Sequence, residues 1–429
     1  MKNQLLLLSA LIFGLLLTGL LTLQGGLLAL ALPLLVYLAA AFWFNPEKPL
    51  LNAARRLDTE WVAENAPATI TLQVTNQGQA LEEVALSAPL PVNVRFLKGE
   101  VAAFASLPAG ETLSLTHTFQ ALRGEYRPPV VQVTANETFG LFGHTLSLDA
   151  PCQLAVRPQT LTVRSAKIRP PQTRGFAGPI PARQSGVGLD FFSLREYQPG
   201  DPQRQINWRI AARYEHDLFT NIFEQERVAD VGIILDSRRQ VDVVVGGESL
   251  FEHSVRAAAT LSAAFLKDGN RVGLLVYGGS IQRVFPGYGK VQRYRILRTL
   301  SKAHTGHNYA LENLGHLPTR AFPSHSQVVL ISPLYLDDVP VLIQLRSQGY
   351  AVLVISPDPL DFEARRLPAT RESELAERIA RAERNFLMQR IRRVGVQVVE
   401  WRVNEPLDSS LHRTLEAAPT LHRLRMVAR

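Results

Sequence analysis

The stretch between residues 188 and 226 concentrates side chains that could do chemistry. It is rich in arginine, acidic and aromatic residues, among them Arg195, Arg204, Arg209, Arg213, Glu196, Asp201, Glu215, Asp217, Glu224, Glu226, Tyr197, Trp208 and Tyr214. A guanidinium group pairs with carboxylates and stacks on aromatic rings. The stretch therefore predicts an internal network that orders a long connection, or a surface that recognises a partner. The two interpretations are compatible.

A hydrolytic site is the other chemistry that this stretch could support. Its members would be Arg195, Asp201, Arg204 and Glu224. The neighbouring arginines would hold the carboxylates ionised, which disfavours a general acid with a raised pKa. We therefore predict no catalytic residue and keep an enzyme as an alternative hypothesis.

The spacing within the stretch resembles a known signature. The pattern reads Gly188, Phe191, Arg195-x-Tyr197-x-x-Gly200-Asp201-x-x-Arg204-x-Ile206-x-Trp208, Ala212-Arg213 and Phe223-Glu224-x-Glu226. It resembles the signature of the bacterial domain-of-unknown-function-58 family, as do residues 122–126 and 138–142. The resemblance singles out as binding residues Arg195, Tyr197, Gly200, Asp201, Arg204, Trp208, Arg213, Glu224 and Glu226.

That resemblance carries expectations about architecture and partners. It implies an N-terminal transmembrane hairpin, an all-β Ig-like sandwich and a C-terminal α/β domain similar to a von Willebrand factor A domain. Family members occur beside MoxR-type AAA+ ATPases and are thought to act with them in protein assembly or maturation. A MoxR-like ATPase, a client protein, or both are therefore the expected partners.

A von Willebrand A domain would also imply a divalent cation held by Asp-x-Ser-x-Ser. Here Asp236 and Ser237 are followed by Arg238, and Gln240 replaces the second serine. The later strand offers no carboxylate until Asp337. Mg²⁺ requires hard oxygen ligands in octahedral geometry, and an arginine would bring positive charge to its place. We predict a degenerate ion site at Asp236 and Ser237, without metal or other cofactor.

The elements that must position these residues begin with two apolar runs. Residues 5–23 and 27–44 carry no charge and are each long enough to cross a bilayer. Lys2 precedes the first run, and Lys48, Arg55 and Arg56 follow the second. The positive-inside rule then predicts a helical hairpin over residues 1–56 in the bacterial inner membrane, with the remaining domains in the cytoplasm. A signal peptide followed by one helix is the alternative.

The periodicity then changes twice along the chain. Residues 57–159 alternate apolar and polar side chains between frequent turns, which predicts the β-sandwich. Residues 160–187 are rich in Pro, Gly and Arg and predict an extended connector. Residues 227–429 alternate apolar strands with amphipathic helices, which predicts a doubly wound, mostly parallel sheet. Ligands of such sheets bind beyond the carboxyl ends of the strands.

Composition narrows the classes of partner. The net charge is +8, but no window combines basic runs with stacking aromatics or a nucleic-acid-binding spacing, so we predict no nucleic acid partner. The single cysteine, Cys152, excludes an intrachain disulfide and suits a reducing compartment.

The function that these observations predict is a membrane-anchored, cytoplasm-facing scaffold for protein interactions. An enzyme remains one alternative. The other is an envelope structural protein whose sandwich binds wall material.

Overall fold

A computed structural model describes residues 2–43, 48–136, 143–163, 180–213, 217–227, 229–311, 314–318, 322–368 and 370–417. The chain divides into two compact units, Met1–Arg157 and Pro158–Arg429. The turn at residues 138–142, which resembled a family motif, lies outside the described residues.

The first unit opens with two apolar helices, α1 (Lys2–Thr22) and α2 (Gly25–Trp43). Both are long and apolar enough to cross a membrane, over Leu5–Thr22 and Gly25–Trp43. The break between them is shorter than expected: Gly25 and Gly26 already belong to α2, and Leu23 takes the left-handed conformation. The turn closes through a hydrogen bond from the Leu27 amide to the Gln24 carbonyl.

The middle of the chain is built of β-strands. These are β1 (Leu51–Leu57), β2 (Trp61–Ala63), β3 (Pro67–Asn76), β4 (Leu81–Ser87), β5 (Val94–Gly99), β6 (Ala102–Leu107), β7 (Thr112–Ala121), β8 (Gly124–Tyr126), β9 (Val131–Asn136), β10 (Gly143–Leu148) and β11 (Leu154–Arg157). Strand β1 crosses the boundary expected at residue 56, because its full-length pairing with β3 extends the sheet toward the helices.

The strands form two four-stranded antiparallel sheets in the described part of the chain, ordered β1-β3-β7-β5 and β10-β9-β4-β6. A third, three-stranded sheet has the order β2-β11-β8. Alternate residues of β3 point inward, including Leu72 and Val74, and share one apolar core with Leu86 and Val133 of the second sheet. The alternation of apolar residues therefore places one face of each large sheet against the other.

The second unit begins with a long antiparallel ribbon. Strand β12 (Ile180–Glu196) pairs with β13 (Phe219–Arg227), and helix α3 (Trp208–Ala211) lies between them in sequence. Strand β12 starts inside the stretch expected to be a connector. Its hydrogen-bond partners lie about forty residues downstream, where the local composition gives no sign of them.

The remainder of this unit alternates strands and helices. Its elements are β14 (Asp230–Ser237), β15 (Val244–Val245), β16 (Glu248–Ser249), α4 (Leu250–Lys267), β17 (Arg271–Gly278), β18 (Gln282–Gly287), α5 (Gly289–Lys302), β19 (Gln327–Ile331), α6 (Val339–Ser347), β20 (Ala351–Pro357), α7 (Pro359–Glu363), α8 (Arg371–Arg393), β21 (Gln397–Trp401) and α9 (Leu407–Ala417).

One sheet joins these strands in the order β18-β17-β14-β19-β20-β21 among the described residues. All its pairs are parallel except β17–β18, which confirms the mostly parallel sheet. Strand β14 is buried at every position, as expected of a strand covered on both faces. The carboxyl ends of β14 and β19 are therefore adjacent, and the polar residues that follow them meet.

We predict that Asn76→Ala weakens the first unit by about 1–3 kcal/mol, because it leaves buried acceptors without donors. The Asn76 side chain is fully buried; its Nδ2 donates to the carbonyls of Gln79 and Leu107, and its Oδ1 accepts from the Gly78 amide. Hydrogen exchange of β3 and β7 peptides in the full chain measures the loss. Gln73→Ala, at an exposed position of the same strand, is the control and should change exchange little.

Candidate functional site

Asp201 is the centre of the signature segment's internal hydrogen-bond network. Arg195 Nη2 donates to its Oδ1 at 2.6 Å, and the Gln198 amide and Thr220 hydroxyl donate to its Oδ2 at 3.0 and 3.1 Å. Arg195 belongs to β12 and Thr220 to β13. One carboxylate thus ties both strands to the turn that leaves the ribbon. Gly200 precedes it with a φ of +110°, a conformation that favours glycine.

This network holds the carboxylate in its charged form. The hydrogen bond from Arg195, followed by that from the Gln198 amide, lowers the pKa of Asp201. A carboxyl group with a lowered pKa is a poor general acid at neutral pH. The geometry gives Arg195 and Asp201 a structural role.

Other members of the signature segment face outward. Trp208 is 64% exposed, and Arg204, Arg209 and Arg213 are exposed as well. Within the described residues these three arginines make no ion pair. Helix α3 fixes their neighbourhood because Asn207 caps it, accepting from the Ile210 amide, while its Nδ2 donates to Asn221 Oδ1 of β13 at 2.9 Å. A large aromatic ring and several unpaired guanidinium groups are therefore presented from an ordered base.

The predicted binding residues that remain are Tyr197, Glu224 and Glu226. Tyr197 is half-buried, and its amide donates to the Leu218 carbonyl. Glu224 and Glu226 lie on β13, in register with Ser185 and Pro181 of β12. The structure describes only the backbone of these two acids.

A second polar centre, which we call the ion triad, lies at the carboxyl ends of β14 and β19. It consists of Asp236, Arg238 and Asp338, each at most 3% exposed. Arg238 donates to Asp236 through Nε at 2.9 Å and Nη2 at 2.7 Å. It donates to Asp338 through Nη1 and Nη2, both at 2.9 Å. One guanidinium group therefore serves two carboxylates with paired hydrogen bonds.

Glycines allow the loops to approach the triad closely. Gly278 has a φ of +153°, and a Cβ there would lie 2.2 Å from the Arg238 amide nitrogen. A Cβ on Gly279 would lie 2.7 Å from the Gly306 Cα. The amides of Gly279 and Gly306 both donate to the Ser237 carbonyl. The loop after β14 is thereby fastened to two neighbouring loops.

The loop after β19 is held from the other side. Ser332 Oγ donates to Asp236 Oδ2 at 2.7 Å, and the Tyr335 amide donates to Asp338 Oδ2 at 2.9 Å. The partly buried Arg384 of α8 donates to the Pro333 carbonyl at 3.1 Å, and its Nε lies 3.3 Å from Asp358 Oδ1. These bonds fix the turn that directs Asp338 at Arg238.

The electrostatics of the triad favour a permanent positive charge on Arg238. Burial lowers the pKa of an arginine, but hydrogen bonds and charges of Asp236 and Asp338 outweigh it, and the pKa of Arg238 is raised. Burial raises the pKa of Asp338, and the guanidinium opposes that effect. An arginine so placed keeps its charge at every physiological pH.

The side chains at the ion triad do not fit a divalent cation. The carboxylate oxygens that could ligate a metal accept hydrogen bonds from Arg238, whose guanidinium group occupies the space between them. Ser237 is buried, and its hydroxyl has no hydrogen-bond partner among the described residues. Thr305, in the segment after α5, donates to Asp242 Oδ2 at 2.9 Å. The guanidinium group supplies the positive charge that neutralises these two carboxylates.

A cavity of about 250 Å³ lies beside Arg238. Its walls are Arg238, Arg239, Gln240, Gly278, Gly306, His307, Asn308 and Leu311. It lies beyond the carboxyl ends of the strands, where open parallel sheets bind ligands. We refer to it as the strand-end cavity.

Sequence reasoning missed two charged residues at or near the ion triad. The carboxylate that completes the triad is Asp338, whereas Asp337, the first acid after β19, is exposed. The adjacent acid pair was a visible signal, but the short turn over Leu336–Asp338 decides which side chain points inward. Arg384 gave no local signal, because it lies on a long, largely polar helix.

We predict that Arg238→Met destabilises the second unit by about 3–5 kcal/mol, because two buried carboxylates lose their counter-charge. Hydrogen exchange of β14 and β19 peptides in the full chain measures the loss. Adding Asp236→Asn and Asp338→Asn should recover much of it, since the unpaired charges are removed. Arg239→Met, at the exposed neighbouring position, is the control. Equal exchange in Arg238→Met and the control would contradict a structural role of the triad.

The lowered pKa of Asp201 predicts a pH dependence of the ribbon. A depressed folded-state pKa stabilises the fold above the unfolded pKa, near 3.9, and this contribution is lost as the pH falls through the folded-state value. Hydrogen exchange across residues 194–222, corrected for intrinsic rates, should therefore show wild type better protected than Asp201→Asn at pH 7. The difference should shrink toward pH 3. Asp217→Asn, exposed on the same connection, should match wild type throughout.

Comparison with solved structures gives only partial likenesses. The CARDB domain of the PF1109 protein from Pyrococcus furiosus is 19% identical, with a TM-score of 0.18, over 26% of this chain and 90% of that chain. A FixG-related protein from Vibrio parahaemolyticus is 17% identical, with a TM-score of 0.18, over 25% of this chain and 95% of that chain. Scores this low support no argument about the fold.

Curated relatives match part of the chain. The uncharacterised protein YeaD of Bacillus subtilis is 28% identical over 221 residues, which are 50% of this chain and 52% of that protein. The uncharacterised protein Rv1480 of Mycobacterium tuberculosis is 27% identical over 117 residues, 27% of this chain and 37% of that protein. The chain thus spans about half, or less, of the length of these relatives.

The family match is broader and includes both polar centres. Residues 193–416 match the family described as protein of unknown function DUF58. The match covers more than half of the chain and runs from the signature segment through the ion triad to α9. The chain therefore belongs to the family of proteins of unknown function DUF58.

Proposed function

We propose that this protein is a membrane-anchored scaffold that binds other proteins and works with a MoxR-type AAA+ ATPase in protein assembly or maturation. The main support for the proposal is a contrast between two pairs of residues in the signature segment. Arg195 and Asp201 saturate each other inside the ribbon, whereas Arg204 and Trp208 are ordered, exposed and unpaired among the described residues. Exposed tryptophan and arginine are the side chains most enriched in interface hot spots.

The α/β unit supports the same role. We propose that it is a von Willebrand A-like domain in which Arg238 takes the place of the bridging cation. Ligand binding at the strand-end cavity would then need no metal. The β-sheets of the first unit fit an Ig-like sandwich, a fold class that commonly serves as a spacer or binding module.

The two apolar helices support the membrane anchor. Most leucines of α1 and α2 are exposed along the helices, including Leu7 and Leu21, as suits contact with lipid. Positive residues on both flanks favour a cytoplasmic location of the remaining chain at the inner membrane. An envelope structural protein would require the opposite side.

The enzyme alternative receives less support from the geometry. Its proposed acid, Asp201, is engaged by three donors and has a lowered pKa. Arg204, its proposed partner, is exposed and makes no ion pair with a described residue. The binding hypothesis uses both features without further assumptions.

The test is direct binding of the purified MoxR-type ATPase from the source organism to the full chain in nanodiscs, with ATP and with ADP. We predict that Trp208→Ala and Arg204→Ala each weaken binding by about tenfold, because interface hot spots contribute at this scale. Arg393→Ala, at an exposed position of α8, should bind like wild type. Absence of binding in both nucleotide states, or equal binding by all variants, would refute the proposed partnership.

A further inference from the structure

A groove on the far edge of the α/β sheet carries a second charged surface. It lies between the edge strand β18 and helix α5 and encloses about 650 Å³. We call it the edge groove. Its walls include Arg283, Phe285, Tyr294, Arg295, Arg298 and Lys302. None of these residues belongs to the signature segment or the ion triad.

The groove and the sequence around it are rich in basic residues. From Gly269 to Leu311 the chain has no Asp or Glu. The same stretch has these basic residues: Arg271, Arg283, Lys290, Arg293, Arg295, Arg298 and Lys302. Arg283, Arg295 and Arg298 are exposed, and no described residue forms an ion pair with them. A cluster of like charges destabilises the free protein slightly, so an anionic occupant would be favoured.

Apolar side chains line the same groove. Phe285 is 69% exposed, and Arg283 lies over its ring with the guanidinium carbon 5.6 Å from the centroid. Val291 and Tyr294 of α5 are exposed on the side that carries Arg295 and Arg298. The occupant should therefore combine negative charge with apolar contact.

The edge strand adds a backbone component. Strand β18 pairs only with β17 among the described residues, and residues Gln282, Arg283 and Val284 are in regular register with it. Their outer edge can accept another extended chain, until Pro286 interrupts the strand. A peptide can use backbone hydrogen bonds, charge and apolar contact together. A flat membrane surface cannot enter a groove, and a nucleic acid cannot continue the sheet.

We propose that the edge groove binds an acidic peptide segment of a partner protein, in an extended conformation beside β18. Acidic side chains would meet Arg283, Arg295 and Arg298, and apolar side chains would meet Phe285 and Tyr294. The proposal rests on the proposed role as a protein-binding scaffold and supplies the chemistry of one class of partner.

The test is fluorescence anisotropy with the full chain in nanodiscs of zwitterionic lipid. The probe is a labelled peptide of about six to ten residues, the length of a typical strand, that alternates Glu with Val and Thr and contains one Phe. We expect Arg295→Glu combined with Arg298→Glu to weaken binding at least about tenfold, with added salt weakening wild-type binding. Arg293→Glu, on the same helix but outside the groove, should stay within about twofold of wild type.

Several results would overturn the proposal. One is equal binding of a matched peptide with Gln in place of Glu. Another is equal binding by the groove variant and Arg293→Glu. A third is that the peptide does not bind, whereas anionic vesicles or a single-stranded oligonucleotide bind wild type and not the groove variant. Trp208→Ala should leave peptide binding unchanged, so that failure of the ATPase partnership and failure of the groove proposal are separate outcomes.

Discussion

The arrangement of the loops at the carboxyl ends of β14 and β19 depends on one guanidinium group between two buried carboxylates. Each charge alone would cost several kcal/mol to bury, so the three groups are tolerated only together and in good geometry. That geometry requires the loops after β14 and β19 to meet. The glycines at 278, 279 and 306 let the loops after β17 and α5 pack closely against the loop after β14, and Arg384 holds the loop after β19. The carboxylates of Asp236 and Asp338 are consequently committed to the fold.

The signature segment also contains both paired and unpaired charges. Arg195 and Asp201 form an ion pair, whereas Arg204 forms none with a described residue. Asp201 accepts from both strands and from the turn, and these bonds fasten the turn to the end of the ribbon. Arg204 and Trp208 add nothing visible to that network. Among the described residues, side chains that are engaged by their neighbours and exposed side chains without an ion pair thus occur within a few positions of each other.

The sequence predicted most of the second unit because its strands are short, continuous apolar runs between amphipathic helices. Helix α4 begins and ends where its periodicity does, with Ser249 as its cap. Long-range pairing was less accessible. The start of β12 depends on partners in β13, and the choice of Asp338 over Asp337 depends on one short turn. Composition around these residues carries neither fact, because both depend on contacts between segments that are distant in the sequence or on the geometry of a single turn.

Charge also connects the sites with the proposed anchor. The chain carries a net charge of +8, and the buried Arg238 and the partly buried Arg384 both face carboxylates. The exposed arginines of the signature segment and the edge groove have no such counter-charge among the described residues. Unpaired surface cations speed encounter with acidic partners, an effect that is screened beyond about 8 Å at physiological salt. Anchoring at a membrane would confine those partners near the same surface, so that weak individual contacts could act together.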